Sequence, residues 1–343
     1  MELFLDIIFF LVGLVLIVKG ADWLTDGAGS IARRFGIPTL VIGLTIVAIG
    51  TSAPEFVVSM LGAIHKSPDI AIGNVVGSNI FNILGMIGLT AVVSPIALTR
   101  GNVLRDLPIM TLAVAALFVL LADKVFDADV QQNVLSRSDG LILICLFLMF
   151  MYYTVWLSKK ASTSTSERKN GRPSEGAGAE TGKTTDAGEF SRPLLTSVLL
   201  FLVGLACLIG GGELMVDGAS GIAHSLGVSD SIIALTIVSI GTSAPELATS
   251  IAAARKGDNA MAVGNVVGSV VFNVLLVLGA SATVYPLPMS GITFTDLSVE
   301  LGAALLFWLT GYFGTKRYVI TRGEGLFMVL LQVAYYIYLI YAQ

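Results

Sequence analysis

Long apolar runs separated by short polar breaks follow one another along the chain, in two sets of five. An apolar run of about 20 residues crosses the roughly 30 Å hydrocarbon core of a bilayer as a helix. The first set covers approximately 3–33, 38–64, 69–95, 107–123 and 139–157. The second set covers approximately 194–220, 229–254, 260–286, 297–314 and 325–342. Because the runs are continuously apolar and do not alternate, they predict ten transmembrane helices and argue against barrel strands.

Composition supports an all-α integral membrane protein. Of the 343 residues, 55% are hydrophobic and only 13% are charged, which excludes a soluble globular domain of ordinary composition. The two cysteines and two histidines are too scattered to indicate a disulfide framework or a zinc site. We expect a lipid bilayer and inorganic cations as partners and no nucleic acid, and the oligomeric state stays open.

Basic residues fall mainly in the loops after predicted helices 1, 3, 5, 7 and 9. Of the 20 Lys and Arg residues, all lie there except Lys19, Lys66, Lys124 and Arg137. The positive-inside rule then places the protein in the plasma (inner) membrane with both termini outside the cytoplasm. The polar segment 158–193 becomes a cytoplasmic loop, and its composition is typical of a disordered linker.

One decapeptide occurs twice, as GTSAPEFVVS at 50–59 and as GTSAPELATS at 241–250. Sliding the chain on itself by 191 positions aligns 20–82 with 211–273 without a gap, and about 30 of the 63 positions are identical. Each unit holds five predicted helices, and an odd number places the second unit upside down in the membrane. The sequence therefore predicts two inverted five-helix repeats, 1–157 and 194–343, joined by the loop 158–193.

Each decapeptide places a proline and a glutamate near the middle of a predicted helix. Pro54 and Pro245 each lack an amide donor and displace the carbonyl four residues earlier. A carboxylate at the centre of a membrane helix costs about 2.5–3.5 kcal/mol, so Glu55 and Glu246 at equivalent positions indicate a functional site. Four hydroxyl residues share the helical faces of these glutamates: Thr51, Ser52, Thr242 and Ser243. The alternative is a proline kink whose hydroxyls bond back to the helix.

A polar stripe accompanies the repeated hexapeptide GNVVGS in predicted helices 3 and 8. Its amides and hydroxyls recur every four residues, at Asn74, Ser78, Asn82, Asn265, Ser269 and Asn273. Small-xxx-small glycine pairs in the same helices favour close approach of neighbouring helices: Gly73 with Gly77 and Gly264 with Gly268. The stripe can hold helices together, and where it faces the glutamates it can also complete the shell of an ion.

Carboxylate, amide, hydroxyl and carbonyl oxygens without His or Cys suit hard cations, calcium in particular. Two glutamates neutralise one calcium ion or a few sodium ions. Without a cation they leave two buried anions, and the cost of crossing in that form favours exchange over leak.

The paired GTSAPE, GNVVGS and FN units resemble the two alpha-repeats of the calcium/cation antiporter superfamily, specifically its bacterial and archaeal sodium/calcium exchanger-like branch. The resemblance covers nearly the whole chain, with the motifs in 38–95 and 229–286. It implies that Glu55 and Glu246 are the central ligands, with main-chain oxygens near Ala48 and Ser239. It implies surrounding ligands from Thr51, Ser52, Ser78, Asn82, Thr242, Ser243, Ser269 and Asn273. Some members carry an aspartate where this chain has Asn82 or Asn273, which leaves the ion set and stoichiometry open.

The sequence favours a secondary antiporter without a cofactor that extrudes Ca²⁺ in exchange for Na⁺ at a midplane site between the two glutamates. The nearest alternative is Ca²⁺/H⁺ exchange, because the same glutamates can take protons. A cation channel is disfavoured because one chain contains both halves of the site. An enzyme is disfavoured because neither glutamate has a His, Lys or Cys nearby in sequence.

Predicted helices 1 and 6 are long and carry small residues around repeated D-G-A triplets, at 26–28 and 217–219. We expect this pair to slide across a fixed core of helices 2, 3, 7 and 8, since smooth surfaces move at modest cost. Asp22 follows Lys19 by three residues, which predicts an ion pair within helix 1. Asp26 and Asp217 are expected near helix ends in a cap or interface role, and a place on an ion-entry path is the alternative.

Overall fold

The computed structural model describes residues 2–126, 129, 132–170, 193–225 and 239–342. Nearly all of these residues are helical, as the apolar runs predict. Two short antiparallel strand pairs join loops that are distant in sequence. β1 (Ile96–Ala97) pairs with β4 (Val319–Ile320), and β2 (Val134–Leu135) pairs with β3 (Leu287–Pro288).

The helices follow the predicted apolar runs closely. Those of the first half are α1 (Glu2–Phe35), α2 (Thr39–Ile42), α3 (Ala48–Thr51), α4 (Ala53–Ile64), α5 (Pro68–Ile80), α6 (Ile87–Val93), α7 (Leu107–Leu120), α8 (Asp123–Phe126) and α9 (Arg137–Asn170). Those of the second half are α10 (Leu194–Ser225), α11 (Ser239–Thr242), α12 (Ala244–Arg255), α13 (Asn259–Phe272), α14 (Gly279–Val284), α15 (Phe294–Phe313) and α16 (Arg322–Ala342). Stretches of wider π-helix lie at Gly43–Val47, Phe81–Met86, Asn102–Asp106 and Asn273–Leu278.

Six helices of the described chain are long and apolar enough to cross a membrane. A seventh span results if the pair Thr39–Thr51 and Ala53–Ile64, bent by 50°, counts as one broken span. The start of predicted helix 7, residues 229–238, lies outside the described residues. The architecture is therefore that of a multi-helix membrane protein, and the count of ten spans in two inverted repeats stays a prediction.

α9 continues beyond the predicted end of its apolar run and reaches Asn170. The loop 158–193 thus begins as helix, which its polar composition did not indicate. The cause is local: no glycine or proline interrupts 158–170, and the first breakers are Gly171 and Pro173. The remainder of that predicted linker, 171–192, lies outside the described residues.

α1 and α10 pack antiparallel along their length through glycines spaced seven residues apart. The seam consists of Gly13, Gly20 and Gly27 on α1 and Gly204, Gly211 and Gly218 on α10. A Cβ atom on Gly204 would lie 2.5 Å from the Leu24 nitrogen, and one on Gly20 would lie 2.8 Å from the Gly204 oxygen. The two backbones therefore touch, and the helices form one two-helix unit.

The polar-stripe helices form the buried centre of the protein. In the span Asn259–Val284, 94% of the apolar stretch that could cross the membrane is buried within the protein, and in Pro68–Val93 the buried share is 83%. Close approach at the predicted small residues is confirmed for α13, because a Cβ on Gly264 would lie 2.6 Å from the Leu40 oxygen and one on Gly268 would lie 2.8 Å from the Leu44 oxygen. In α1 and α10, by contrast, only 17% and 22% of the corresponding apolar stretch is buried. These two helices therefore form a peripheral pair beside a densely packed core.

Candidate functional site

The two decapeptides break their helices one residue after the repeated Gly-Thr pair. At Ser52 the backbone angles are φ −85° and ψ 11°, and at Ser243 they are φ −90° and ψ 5°. Pro54 and Pro245 are the second residues of the helices that restart there, where the missing amide hydrogen costs no internal bond. Glu55 lies in the first turn of α4, and Glu246 lies in the first turn of α12, at the positive end of each helix dipole.

Each glutamate accepts a hydrogen bond from the serine at the break in the other decapeptide. Ser52 Oγ donates to Glu246 Oε1 at 2.9 Å, and Ser243 Oγ donates to Glu55 Oε1 at 3.2 Å. Both carboxylates are 0% exposed, and the second oxygen of each, Oε2, has no protein partner among the described residues. The two motifs therefore meet in space and leave two buried carboxylate oxygens free to bind another group.

Two asparagines of the polar stripe hold the backbones of the glutamates. Asn74 Nδ2 donates to the Glu55 carbonyl at 3.0 Å and to Ser59 Oγ at 2.9 Å. Asn265 Nδ2 makes the equivalent bonds, to the Glu246 carbonyl at 3.1 Å and to Ser250 Oγ at 3.0 Å. The helix-joining role expected for these amides is confirmed. These bonds hold the main chain at Glu55 and Glu246, from which the two carboxylate side chains extend.

The remaining stripe residues present buried polar atoms without protein partners. Ser78 Oγ, Ser269 Oγ, both side-chain polar atoms of Asn82 and Asn273 Oδ1 make no hydrogen bond within the described chain. All four residues are at most 1% exposed. Asn82 and Asn273 lie in π-helical stretches, an irregularity that often marks functional sites.

The other predicted ligands lie in different environments. Thr51 is buried, and its hydroxyl donates back to the Val47 carbonyl at 3.0 Å, so the back-bonding alternative applies to this residue. The Ala48 carbonyl accepts the Ser52 amide at 2.9 Å. Thr242 is half-buried and borders a cleft. Ser239 begins α11, and its side chain lies outside the described residues.

This donor set suits a hard cation. Unsatisfied buried polar groups are costly unless an ion or water binds them, and here they comprise carboxylate, hydroxyl and amide oxygens. No cluster of three or more His, Cys, Asp or Glu side chains with metal-binding geometry occurs in the described part of the chain, so a site of the zinc or copper kind is not built there. A hard cation is the group that this arrangement fits.

A cleft of about 280 Å³ reaches the decapeptides from the side of α10. Pro54, Thr242 and Pro245 form its inner wall, and Glu213 and Asp217 of α10 also line it. Two carboxylates beside a passage attract cations, as focusing of the field in a cleft predicts. Access to the candidate site from this side therefore runs past acidic side chains.

On the other side of the candidate site, a lysine that follows α12 connects the core to α1. Lys256, just after α12, donates from Nζ to Thr25 Oγ1 at 2.7 Å and lies 3.0 Å from Asp26 Oδ1 and 3.4 Å from Asp22 Oδ1. The predicted pair of Asp22 with Lys19 is wrong, because Lys256 from another helix reaches this carboxylate. The interface role expected for Asp26 fits its pairing. These contacts bind the peripheral pair to the core, and we call them the Lys256 clamp.

Sequence reasoning missed three groups near the site: the clamp, Glu213, and a buried carboxylate at Glu300. The repeat could have indicated Glu213, since Asp22 and Asp26 align with Glu213 and Asp217. Glu300 has no acidic counterpart in the first repeat. Its only signal is a carboxylate inside an apolar run.

Comparison with known proteins gives one consistent result. A sequence model of the family described as "Sodium/calcium exchanger protein" matches residues 5–156 and 196–341. The inner membrane protein YrbG of Escherichia coli (strain K12) is 36% identical over 302 residues, which cover 87% of this chain and 86% of that protein. The sodium/calcium exchanger MaX1 of Methanosarcina acetivorans is 29% identical over 349 residues, covering 96% and 97% of the two chains.

A solved structure gives the same result for the fold. The sodium-calcium exchanger NCX_Mj, soaked with 2.5 mM Na⁺ and 0.1 mM Ca²⁺, superposes with a TM-score of 0.76 at 32% identity. The match covers 96% of this chain and 97% of that one.

Proposed function

Because the chain belongs to the sodium/calcium exchanger protein family, we propose that it is a secondary antiporter that extrudes Ca²⁺ in exchange for Na⁺ at a site between Glu55 and Glu246. The relatives found are exchangers and membrane proteins rather than enzymes, and they include one named for sodium/calcium exchange. The observation that carries the proposal is the reciprocal pairing of each buried glutamate with the other repeat's serine, which leaves both Oε2 atoms free.

The proposed site has the charge that exchange requires. Two carboxylates balance one Ca²⁺, and calcium accepts six to eight oxygen ligands at about 2.3–2.6 Å. The hydroxyls and amides of the polar stripe, Ser78, Asn82, Ser269 and Asn273, supply neutral oxygens around them. When no cation is bound, two like charges remain in a buried space, so reorientation is favourable only with ions bound. This coupling makes the protein an exchanger and not a leak.

Alternating access follows from movement of the α1–α10 unit across the core. In the described conformation the Lys256 clamp joins α1 to the core at one end, while a cleft lined by Glu213 and Asp217 reaches the site at the other. On the proposed topology, with both termini outside the cytoplasm, the cleft faces outward and the clamp faces the cytoplasm. Sliding the unit breaks the clamp and closes the cleft, which presents the same site to the other side.

Proton coupling is the second candidate function. The observation that favours it is that both glutamates are fully buried and accept hydrogen bonds from serine hydroxyls, with no Lys or Arg ion pair in the described chain. Such carboxylates can take up protons in place of sodium. The two candidates share one site and differ in the coupling ion.

Reconstituted vesicles separate the two candidates. Ca²⁺ flux is measured with an imposed Na⁺ gradient at equal pH, and then with an imposed pH gradient in Na⁺-free buffer. Sodium exchange predicts flux only in the first arm, whereas proton exchange predicts flux only in the second. Absence of Ca²⁺ flux in both arms, with inserted protein verified, would refute the proposed function.

A further inference from the structure

Two buried residues break the internal repeat, and they contact each other. Asn79 of α5 aligns with Val270, and Glu300 of α15 aligns with Met110 when Asp106 is matched to Asp296. Asn79 is 0% exposed and Glu300 is 1% exposed. Asn79 Nδ2 donates to Glu300 Oε1 at 2.7 Å. These two differences between the repeats thus form a single polar unit within the core.

This unit extends to one of the two stripe asparagines at the candidate site. Asn273 Nδ2 donates to Asn79 Oδ1 at 3.2 Å. Two hydrogen bonds therefore connect the Glu300 carboxyl, the Asn79 amide and the Asn273 amide, and we call these three side chains the relay. Every member is buried, where an unmet polar group is costly, so each bond constrains the next.

The direction of these hydrogen bonds determines whether each amide turns its nitrogen or its oxygen toward the next residue. The Oε1 atom of Glu300 accepts a hydrogen bond from Asn79, and an amide carries its donor nitrogen and its acceptor oxygen on separate arms. The nitrogen of Asn79 therefore faces Glu300, and the oxygen of Asn79 accepts a hydrogen bond from the nitrogen of Asn273. The Asn273 oxygen is left as the free atom, and it has no partner in the described chain. Asn82, the repeat counterpart of Asn273, has no such support, since neither of its polar atoms is bonded there.

We infer that Glu300 and Asn79 are positioning residues that hold the side-chain oxygen of Asn273 toward the transported cation. An amide turned the other way would present its NH₂ group, which repels a cation. The relay thus gives one half of the site an oriented oxygen ligand that the other half lacks, and it strengthens Ca²⁺ binding without contacting the ion. This inference rests on the proposed function, because it assumes that a cation binds between the glutamates.

Ca²⁺ binding to purified full-length protein tests the relay. Replacement by the repeat counterparts, Glu300→Met and Asn79→Val, should each raise the Ca²⁺ dissociation constant about tenfold, the effect of one lost hydrogen-bonding interaction. Glu300→Gln should stay within about threefold, because its amide oxygen can still accept from Asn79. Gln332→Leu is the control: it removes another buried polar side chain, which has no partner in the described chain, and should leave the constant unchanged.

A rescue separates positioning from a merely structural bond. Asn273→Asp presents an oxygen at either end, so Glu300→Met in that background should lose at most about threefold. A purely structural role would lower thermal stability without a matching loss of Ca²⁺ affinity, and the Asn273→Asp background would not restore binding. If Glu300→Met does not fold, Asn79→Val carries the same test.

Wild-type Ca²⁺ affinity in folded Glu300→Met or Asn79→Val would overturn the inference and leave the exchanger function standing. An equal loss in Glu300→Gln and Glu300→Met would also overturn it, because the charge and not the orientation would then matter. If wild-type protein neither binds nor transports Ca²⁺, the proposed function fails and the inference fails with it.

Discussion

Removing the Lys256 clamp should open the side of the protein that faces the cytoplasm on the proposed topology. The substitution Lys256→Met keeps the length of the side chain and removes its ammonium group. It deletes the bonds of Nζ to Thr25 Oγ1 at 2.7 Å and to the Asp22 carbonyl at 2.8 Å, and the ion pair with Asp26 at 3.0 Å. We expect these contacts, which join α1 to the core in the described conformation, to be absent from the alternative one, so their loss should favour the alternative.

The size of the effect follows from the exposure of the clamp. The Lys256 side chain is 35% exposed, and those of Asp22 and Asp26 are 47% and 40% exposed, so solvent screens the ion pairs. Exposed pairs contribute about 0–1 kcal/mol each. Together with the donation to the buried Thr25 hydroxyl, we expect a total of about 1–2 kcal/mol, which shifts the conformational ratio by roughly 5- to 30-fold.

Thiol labelling measures this shift. A second cleft, of about 530 Å³, lies between α1 and α12 beside the clamp and is lined by Ala248. The labelled cysteine replaces Ala248, in protein whose native Cys145 and Cys207 are replaced by serine. Its labelling rate by a membrane-impermeant reagent added from the cytoplasmic side should rise about 5- to 30-fold in Lys256→Met. Raising the ionic strength should shrink the difference, since exposed pairs are screened.

Arg255→Met is the matched control, because it removes an adjacent positive charge that forms no ion pair within the described residues. It should leave the labelling rate near that of the parent protein. Equal rates in Lys256→Met and Arg255→Met would refute the reasoning and would show that the clamp does not hold the two elements together.

Three further predictions follow from the fold and the site. Ser52→Ala and Ser243→Ala should each weaken Ca²⁺ binding about tenfold, measured by isotope binding, because each leaves a buried carboxylate without its donor; unchanged binding in both would argue against the reciprocal pairing. Gly204→Ala should cost about 1–3 kcal/mol in thermal unfolding because a Cβ cannot fit the seam, whereas Gly302→Ala, with open space around it, should be neutral; equal stabilities would show that the seam is loose. A cysteine in the loop 158–193 should be labelled only from the cytoplasm and one at the C-terminus only from outside, and labelling of both from one side would contradict the odd-helix topology.

Local patterns predicted the elements of the fold well. Apolar run length located the helices, and the prolines marked where the helices are interrupted, next to Ser52 and Ser243, because those signals act within a few residues. The continuation of α9 to Asn170 was missed because its polar residues still permit a helix.

Long-range contacts were harder to predict from the sequence. Helical periodicity placed serines and glutamates on one face, but it could not show that Ser52 bonds the glutamate of the other repeat and not its own. The predicted Lys19–Asp22 pair failed for the same reason, since Lys256 approaches from a different helix. The relay at Glu300 depends on residues that differ between the repeats, Asn79 against Val270 and Glu300 against Met110, so the search for repeated motifs could not indicate it.

Glutamine substitution of the two buried carboxylates tests the central claim most directly. Glu55→Gln and Glu246→Gln keep the side-chain shape and an oxygen that accepts the serine hydrogen bond, so each removes mainly one negative charge from the site. Glu324→Gln makes the same change at a carboxylate that bonds the Thr315 and Thr321 amides at the start of α16. In reconstituted vesicles, the account predicts that either site variant abolishes Ca²⁺ exchange while remaining folded and inserted, and that Glu324→Gln retains it. Near-normal Ca²⁺ exchange by both site variants would contradict the account.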